Sequence, residues 1–209
     1  GDTMGNYIPT NGLLAQDATL TANPYNAGYD VVGNALRTRN KGLNLDGIGY
    51  AEITDDDTLD FGTGDFTMEC WVKARYVAQG SSINCIFGLG GDLASTSSAA
   101  LVSTGTKLGF YVGSDARFSN ANYTDGDWYH LVGVKSSGVF FMYENGVAQS
   151  GTTANTNSMT NAFSPFIGKD TTASRFYQDE INEVRVYNRA LSLTEITNNY
   201  KVGKSKHSN

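Results

Sequence analysis

Residues 127–150, DWYHLVGVKSSGVFFMYENGVAQS, read as three antiparallel strands joined by two tight turns. The first strand, 128–134, carries apolar side chains on both alternating faces, which is typical of a central strand covered on both sides. Residues 136–138 turn the chain into the second strand. Asn145 and Gly146 both tolerate positive φ and give the strongest short hairpin signal in the chain. Because such a meander has an apolar face to bury, the stretch predicts a second sheet packed against it.

Another strand is predicted at residues 66–74, FTMECWVKA. Every second residue from Phe66 to Val72 is apolar, so this face is predicted to line the core. Trp71 falls on the opposite, polar face. We expect a loop to cover its indole, since so large an apolar group is seldom left in water.

The remaining pattern consists of short strands and one helical turn. Further strands are predicted at 42–54, 82–89, 99–103, 107–112, 163–168 and 181–187. Ser192 and Glu195 have capping-box spacing, so a short helical turn is predicted to run to about Tyr200. The polar residues 201–209 are then expected to form a mobile tail.

Composition limits the classes of protein to consider. A chain of 209 residues with 24 glycines and many short apolar runs fits one large all-β domain. The net charge of −6 argues against nucleic acid and anionic lipid as partners. No apolar stretch approaches the roughly 18 residues that cross a bilayer, so membrane insertion is not expected. The chain begins with Gly1, so we expect a processed product or an excised piece whose targeting information was removed.

The two cysteines, Cys70 and Cys85, leave two arrangements open. Cys70 shares the apolar face of its strand, as a buried free thiol would. The turn-like AQGSS stretch between the two residues would also let them meet on neighbouring antiparallel strands. We favour free thiols, because two cysteines in a chain this long do not make a disulfide framework.

Six stretches of the chain carry a recognisable order. They are DGIGYAEI, GDFTMECWVKA, DGDWYHLVGV, FMYENGV, SPFIGKD and INEVRVYNRALSLTEI. Together they resemble the laminin-G-like branch of the concanavalin A-like lectin/glucanase superfamily. The resemblance covers about residues 33–200 and implies a jelly-roll sandwich of two antiparallel sheets that binds glycans or proteins without catalysis. It leaves residues 1–32 as an N-terminal arm or first strand and 201–209 as the flexible tail.

The resemblance also implies a possible structural calcium ion. The closing strand of the family usually carries an aspartate that helps to hold this ion, and the present chain has Asn182 at that position. Asp46 lies in the DG pair of the nearby loop and would contribute a second ligand. Because calcium prefers carboxylates among its oxygen ligands, the asparagine is expected to weaken the site.

A glycoside hydrolase is the rival interpretation, since such enzymes share the fold and use paired carboxylates. The nearest candidates are Glu180 and Glu183. Residues two apart share a strand face, so Glu180 is expected to point with Asn182 and away from Glu183. Only a β-bulge would bring the two carboxylates together. His130 is expected in the core and His207 in the tail, and no phosphate loop or zinc spacing occurs. We therefore predict that the protein is not an enzyme.

A binding function remains. Sugar sites combine an aromatic ring face with a few polar groups, and these types occur here on loops and strand ends. The candidate ligand-binding residues are Asp92, Tyr111, Arg117, Asn120 and Tyr123.

The first hypothesis for this protein is a glycan-binding module of a secreted or cell-surface protein. The second is a structural or adhesive module, such as a phage capsid decoration or tail protein, that docks on a protein assembly through its N-terminal arm. The expected location is extracellular, on a cell surface or in a virion. A groove lined by Tyr, Asn and Arg would favour sugar, whereas a large exposed apolar patch would favour assembly.

Overall fold

The structure is a computed structural model of the chain. It describes residues 42–75, 83–93, 95–160, 162–171 and 175–207, together with the backbone of three strands nearer the N-terminus. Apart from two of those strands, the predicted N-terminal arm, 1–32, lies outside the described residues.

The regular secondary structure of the described residues is mostly β-strand. Its strands are β1 (Ala18–Thr21), β2 (Asp30–Val32), β3 (Ala35–Arg37), β4 (Leu43–Asp46), β5 (Tyr50–Ile53), β6 (Phe66–Lys73), β7 (Ile83–Leu89), β8 (Ala99–Thr104), β9 (Leu108–Val112), β10 (Asp115–Phe118), β11 (Trp128–Ser136), β12 (Val139–Glu144), β13 (Val147–Ala148), β14 (Thr153–Ala154), β15 (Phe166–Ile167) and β16 (Gln178–Tyr187). One α-helix, α1 (Leu193–Lys204), follows the last strand.

Two antiparallel sheets pack face to face. Sheet A has the order β13-β12-β11-β6-β16-β4, with β14 also paired to β12, and sheet B has the order β1-β5-β15-β7-β8-β9-β10. The predicted meander is confirmed as β11, β12 and β13, and Asn145 and Gly146 form its turn with φ values of 52° and 77°. The fold is the predicted two-sheet sandwich with a short C-terminal helix.

The main core lies between the sheets. Alternate residues of β6, from Phe66 to Val72, point into it as the pattern predicted. On β11 the inward position at Gly133 has no side chain, and the ring of Phe110 from sheet B fills that space. Cys70 and Cys85 are both buried free thiols, which confirms the favoured alternative.

Helix α1 covers the outer face of sheet A. It begins with the predicted capping box, in which Ser192 Oγ accepts from Glu195 N and Glu195 Oε2 accepts from Ser192 N. Ile196 is fully buried against Val132 and Tyr187 of the sheet. The helix therefore gives sheet A two covered faces, as the apolar pattern of β11 requires.

The predicted mobile tail is wrong over most of its length. The helix continues past Tyr200 to Lys204, and His207 is only 6% exposed. The reason is an aromatic stack: the His207 ring lies 4.4 Å from that of Trp71, and Trp128 packs against the same imidazole at 4.7 Å. The indole of Trp71 is thus covered by α1 and the segment after it, where a loop was expected.

A buried carboxylate links this helix to the sheet. Glu69 of β6 is fully buried and accepts hydrogen bonds from Arg185 at 2.7 Å, Tyr187 at 3.0 Å and Asn199 of α1 at 3.0 Å. His130 lies 3.5 Å away. Burial alone would raise the pKa of Glu69, but the contacts with His130, Arg185 and Asn199 outweigh it and lower the pKa to about 2.

Candidate functional site

The outer face of sheet B carries both polar and aromatic side chains. Helix α1 lies on the other sheet, so it does not cover this face. Along β5, Ala51 and Ile53 point into the core, which turns Tyr50 and Glu52 outward. Phe166 of β15 also points outward, since its neighbour Ile167 is part of the core. Strand alternation therefore places aromatic and acidic groups together on this face.

Three rings form a cluster that we call the aromatic patch, made of Tyr50, Phe166 and Phe176. The rings of Tyr50 and Phe166 meet edge to face at 5.8 Å, and those of Tyr50 and Phe176 are 6.3 Å apart. The ammonium of Lys169 lies 3.8 Å above the centroid of Tyr50 and 4.4 Å above that of Phe166. This geometry is that of a cation–π contact with two rings at once.

A chain reversal between Gly168 and Tyr177 supplies two members of this site, Lys169 and Phe176. Its ends are joined by a hydrogen bond from Tyr177 N to Gly168 O at 2.8 Å. The chain also pairs with β7 there, because Cys85 N donates to Arg175 O at 3.0 Å. The register shift of β7 between Cys85 and Phe87 lies at the same point.

Arg175 forms the ionic part of the site. Its Nη1 donates to Asp92 Oδ1 at 2.9 Å and to Asp170 Oδ2 at 2.8 Å, and Asp170 is buried. Burial acts to lower the pKa of Arg175, but the hydrogen bonds and charges of the two carboxylates raise it overall. The guanidinium is therefore a fixed cation held between two acids.

Tyr111 of β9 extends the same face. It packs edge to face on Phe118 at 6.0 Å, and burial raises the pKa of its hydroxyl, partly offset by the charge of Arg175. Pairing aligns it with Phe166 through Gly88 and Ala100, so the two aromatic groups are three strand spacings, or about 14 Å, apart. Ala100 between them is 1% exposed and packs with Leu93 in a small buried cluster, so covered surface separates Tyr111 from the aromatic patch.

The structure brings together only two of the five predicted ligand-binding residues, Asp92 and Tyr111. Arg117 turns toward the core side of β10, where its Nη2 donates to Thr152 O. Asn120 Oδ1 accepts a hydrogen bond from Ser150 N at 3.0 Å, so it joins two loops at the same edge of the sandwich. Tyr123 donates to the carbonyl of Thr104 at 3.0 Å and packs on the core. These three side chains hold loops and the sandwich edge in place.

The predicted calcium ligands do not share one site. Asp46 pairs with Gln178 across the strands, and Asn182 lies four positions further along β16, about 13 Å away. Asp46 Oδ1 already accepts from Gly49 N at 2.7 Å, and Asn182 Oδ1 from Glu183 N at 2.8 Å. Among the described residues, no group of three or more His, Cys, Asp or Glu side chains is placed to hold a metal ion.

The two candidate catalytic carboxylates differ from the expected arrangement. A register shift in β16 between Asn182 and Arg185, with Glu183 at φ 50°, turns Glu183 to the face of Glu180. Arg185 and Lys206 hold Glu183 at 2.7 and 2.8 Å. Burial acts to raise the pKa of Glu183, but these two cations lower it overall. The two cations therefore favour the ionised form of this carboxyl.

Sequence reasoning missed all three rings of the aromatic patch. Tyr50, Phe166 and Lys169 lie in stretches quoted above for their resemblance, but Tyr50 is more than a hundred residues away from the other two in the chain. The signal that could have found them was the outward position of Tyr50 on β5 together with the short strand at Phe166. The register of β5 against β15 was needed to join the two.

Comparison with models of known families identifies the family of this chain. The model described as the concanavalin A-like lectin/glucanases superfamily, of the laminin G type, matches residues 45–197. The chain belongs to this superfamily. A search of curated protein sequences finds no match for this concanavalin A-like domain.

Solved structures share the fold of this concanavalin A-like domain. The sialidase of Trypanosoma rangeli, in complex with 2,3-difluorosialic acid, is 18% identical with a TM-score of 0.59, over 81% of this chain and 28% of the sialidase. Domain 4 of AbnA, an extracellular arabinanase from Geobacillus stearothermophilus in complex with arabinotriose, is 20% identical with a TM-score of 0.58, over 88% and 87%. The binding domain of botulinum neurotoxin serotype G is 15% identical with a TM-score of 0.61, over 90% and 47%.

These identities establish the fold alone. The chain spans little more than a quarter of the sialidase, so the activity of that enzyme is not transferred with the likeness. In the part of the chain that the structure describes, α1 is too short and too polar to be a membrane span.

Proposed function

We propose that this domain is a non-catalytic module that binds glycans on the outer face of sheet B. The observation that carries the proposal is the combination, on one sheet face, of the aromatic patch with the Arg175 ion pairs. Sugars present apolar C–H faces that stack on aromatic rings and hydroxyls that bond to charged and amide groups. The patch supplies the first kind of contact, and Arg175 with Asp92 supplies the second.

Two further observations support this function. Domain 4 of the arabinanase has the same fold over nearly its whole length and was solved with arabinotriose bound. The carboxylate pair at Glu180 and Glu183 is engaged by Lys73, Arg185 and Lys206, which suits a structural role. A glycosidase needs one carboxyl that stays protonated, and the lowered pKa of Glu183 does not suit that role.

The proposed function also implies a location for the domain. Glycan-binding modules act where polysaccharides are exposed, so we propose an extracellular or cell-surface location. A domain bound to a glycan there needs no fixed protein partner. Docking on a protein assembly is the outcome favoured if glycans fail to bind.

A glycan array tests the proposal directly. The purified protein is screened with calcium and again with a chelator, and the array ligand is then measured by titration calorimetry. We expect saturable binding to one sugar class. Chelator-sensitive binding would show that a calcium ion takes part in binding, and binding without calcium would show that the ion is not needed.

Two matched tyrosine variants locate the binding surface. Tyr50→Ala removes the ring at the centre of the aromatic patch and is expected to weaken binding about tenfold or more. Tyr143→Ala removes a half-buried ring from the outer face of sheet A and serves as the control. Equal loss of affinity in both variants, or none in either, would contradict the assignment to sheet B.

A further inference from the structure

The aromatic patch already has an occupant. Lys169 lies above the faces of both Tyr50 and Phe166, at 3.8 and 4.4 Å from their centroids. Among the described residues, Lys169 makes no ion pair with a carboxylate, in contrast to Arg175, which is shared by Asp92 and Asp170. The rings are therefore the principal described partners of this ammonium.

The position of Lys169 conflicts with sugar stacking. Carbon atoms of a stacked sugar approach a ring at about 3.5–4.0 Å, which is the height that the ammonium occupies above Tyr50. The ammonium and a sugar cannot lie on the same ring face together. A glycan that uses the patch must therefore move Lys169 aside.

A carboxylate on the same face can receive the displaced side chain. Glu52 points outward from β5 and lies directly across from Phe166 in the register of the two strands. The Lys169 ammonium already lies over the ring of Phe166, the residue that Glu52 faces across the strands. Glu52 is therefore the carboxylate toward which the displaced side chain would turn.

The charges on the outer face of sheet B indicate which sugars can bind at the aromatic patch. Three described carboxylates, Glu52, Asp92 and Asp170, accompany two cations, Lys169 and Arg175. Among the described residues of this face, negative charge exceeds positive charge by one, which disfavours a sugar acid. With Lys169 turned toward Glu52, none of these described cations is left unpaired to hold such a sugar. An uncharged sugar is not repelled by the negative charge and needs no cation to bind it.

We infer that Lys169 is a specificity-determining side chain that gates the aromatic patch and admits uncharged sugars in preference to acidic ones. This inference rests on the proposed glycan-binding function. Displacing a cation from a partly exposed aromatic face changes an equilibrium constant by a factor of about two to five. Removing the ammonium is therefore expected to strengthen binding by that factor.

The experiment compares three lysine variants. Lys169→Met keeps an apolar stem of similar length without the charge, Lys169→Arg keeps a cation above the rings, and Lys204→Met removes the corresponding cation that lies 5.6 Å from Tyr200 on α1. The probes are arabinotriose, which is neutral, and sialyllactose, which is anionic, with the best neutral array ligand added if arabinotriose does not bind. We expect Lys169→Met to bind the neutral probe two- to fivefold more tightly and the other two variants to match the original protein within twofold.

A nuclear magnetic resonance readout follows the side chain itself. Ring currents shift the methylene protons next to the Lys169 ammonium upfield in the free protein, and saturation with the neutral probe should return them toward ordinary positions. A merely structural lysine would not show this change.

Each alternative result would contradict one specific part of this inference. If Lys169→Met binds the neutral probe no more tightly, or if the lysine protons do not move at saturation, gating is wrong while glycan binding stands. Tighter binding of sialyllactose than of the neutral probe overturns the preference for uncharged sugars. If neither the original protein nor Lys169→Met binds any glycan, the proposed function fails together with the inference.

Discussion

At Gly203, α1 lies against Trp71 of sheet A, and replacing this glycine tests how the helix packs on the sheet. A Cβ built on Gly203 would lie 2.5 Å from Cε2 and 2.7 Å from Cζ2 of Trp71, with the indole nitrogen nearer still. Carbon atoms rest at about 3.5 Å, so Gly203→Ala must move the helix or the indole by about 1 Å. The indole cannot yield easily, because it is 2% exposed and stacked against His207.

The expected cost follows from two opposing terms. Overpacking of a rigid site costs about 1–3 kcal/mol, whereas alanine gains up to about 1 kcal/mol over glycine in a helix. Gly203 is the last residue but one of α1, so the helical gain is at the lower end of that range. We expect Gly203→Ala to reduce the free energy of unfolding by about 1–2 kcal/mol, measured by urea titration with tryptophan fluorescence.

Two further variants separate packing from helix propensity. Asn198→Ala, at an exposed position of the same helix, should gain about 0.5 kcal/mol. Trp71→Phe removes the indole nitrogen, so Gly203→Ala should cost less in that background, with Trp128 as the remaining fluorophore. The reasoning is refuted if Gly203→Ala stabilises the protein as Asn198→Ala does.

Three other changes test the core and the buried charges. Gly133→Ala brings a methyl group against the Phe110 ring and should lower the free energy of unfolding by about 2 kcal/mol in the same assay; unchanged stability would show that the sheets can separate without cost. Glu69→Gln leaves Arg185 without its buried partner and should cost about 3 kcal/mol at pH 7. The folded pKa of about 2 lies below the ordinary 4.5, so the contribution of this carboxylate is complete above pH 4.5 and is lost toward pH 2, and the variant should lack that acid-dependent loss in denaturant titrations. Burial holds the pKa of His207 below its ordinary 6.5, so the free energy of unfolding should fall as pH drops below 6.5, and His207→Gln should flatten this part of the profile.

Much of the sandwich could be predicted from local pattern. The alternation along 66–74 and the Asn145-Gly146 turn each depend on residues close together in the chain, so sequence alone identified them. The helix start at Ser192 is equally local, since the capping box involves neighbouring residues.

Other features depend on contacts between distant residues. His207 is buried because Trp71 and Trp128 provide stacking surfaces, and a polar C-terminal segment carries no local sign of them. The bulge in β16 appears only when the strand is paired with β6, and it reversed the predicted direction of Glu183. The aromatic patch was missed for the same reason, because strand pairing and a chain reversal bring its rings together.

The location of the two thiols has a practical consequence for surface attachment. Cys70 and Cys85 are both 0% exposed, and burial raises the pKa of each thiol, so neither should react with a maleimide in the folded protein. A single cysteine introduced at Val202, which is 66% exposed on α1, would then be the sole reactive position among the described residues. A sensor chip coupled there would hold every molecule by the helix side of the sandwich, with the outer face of sheet B toward the solution.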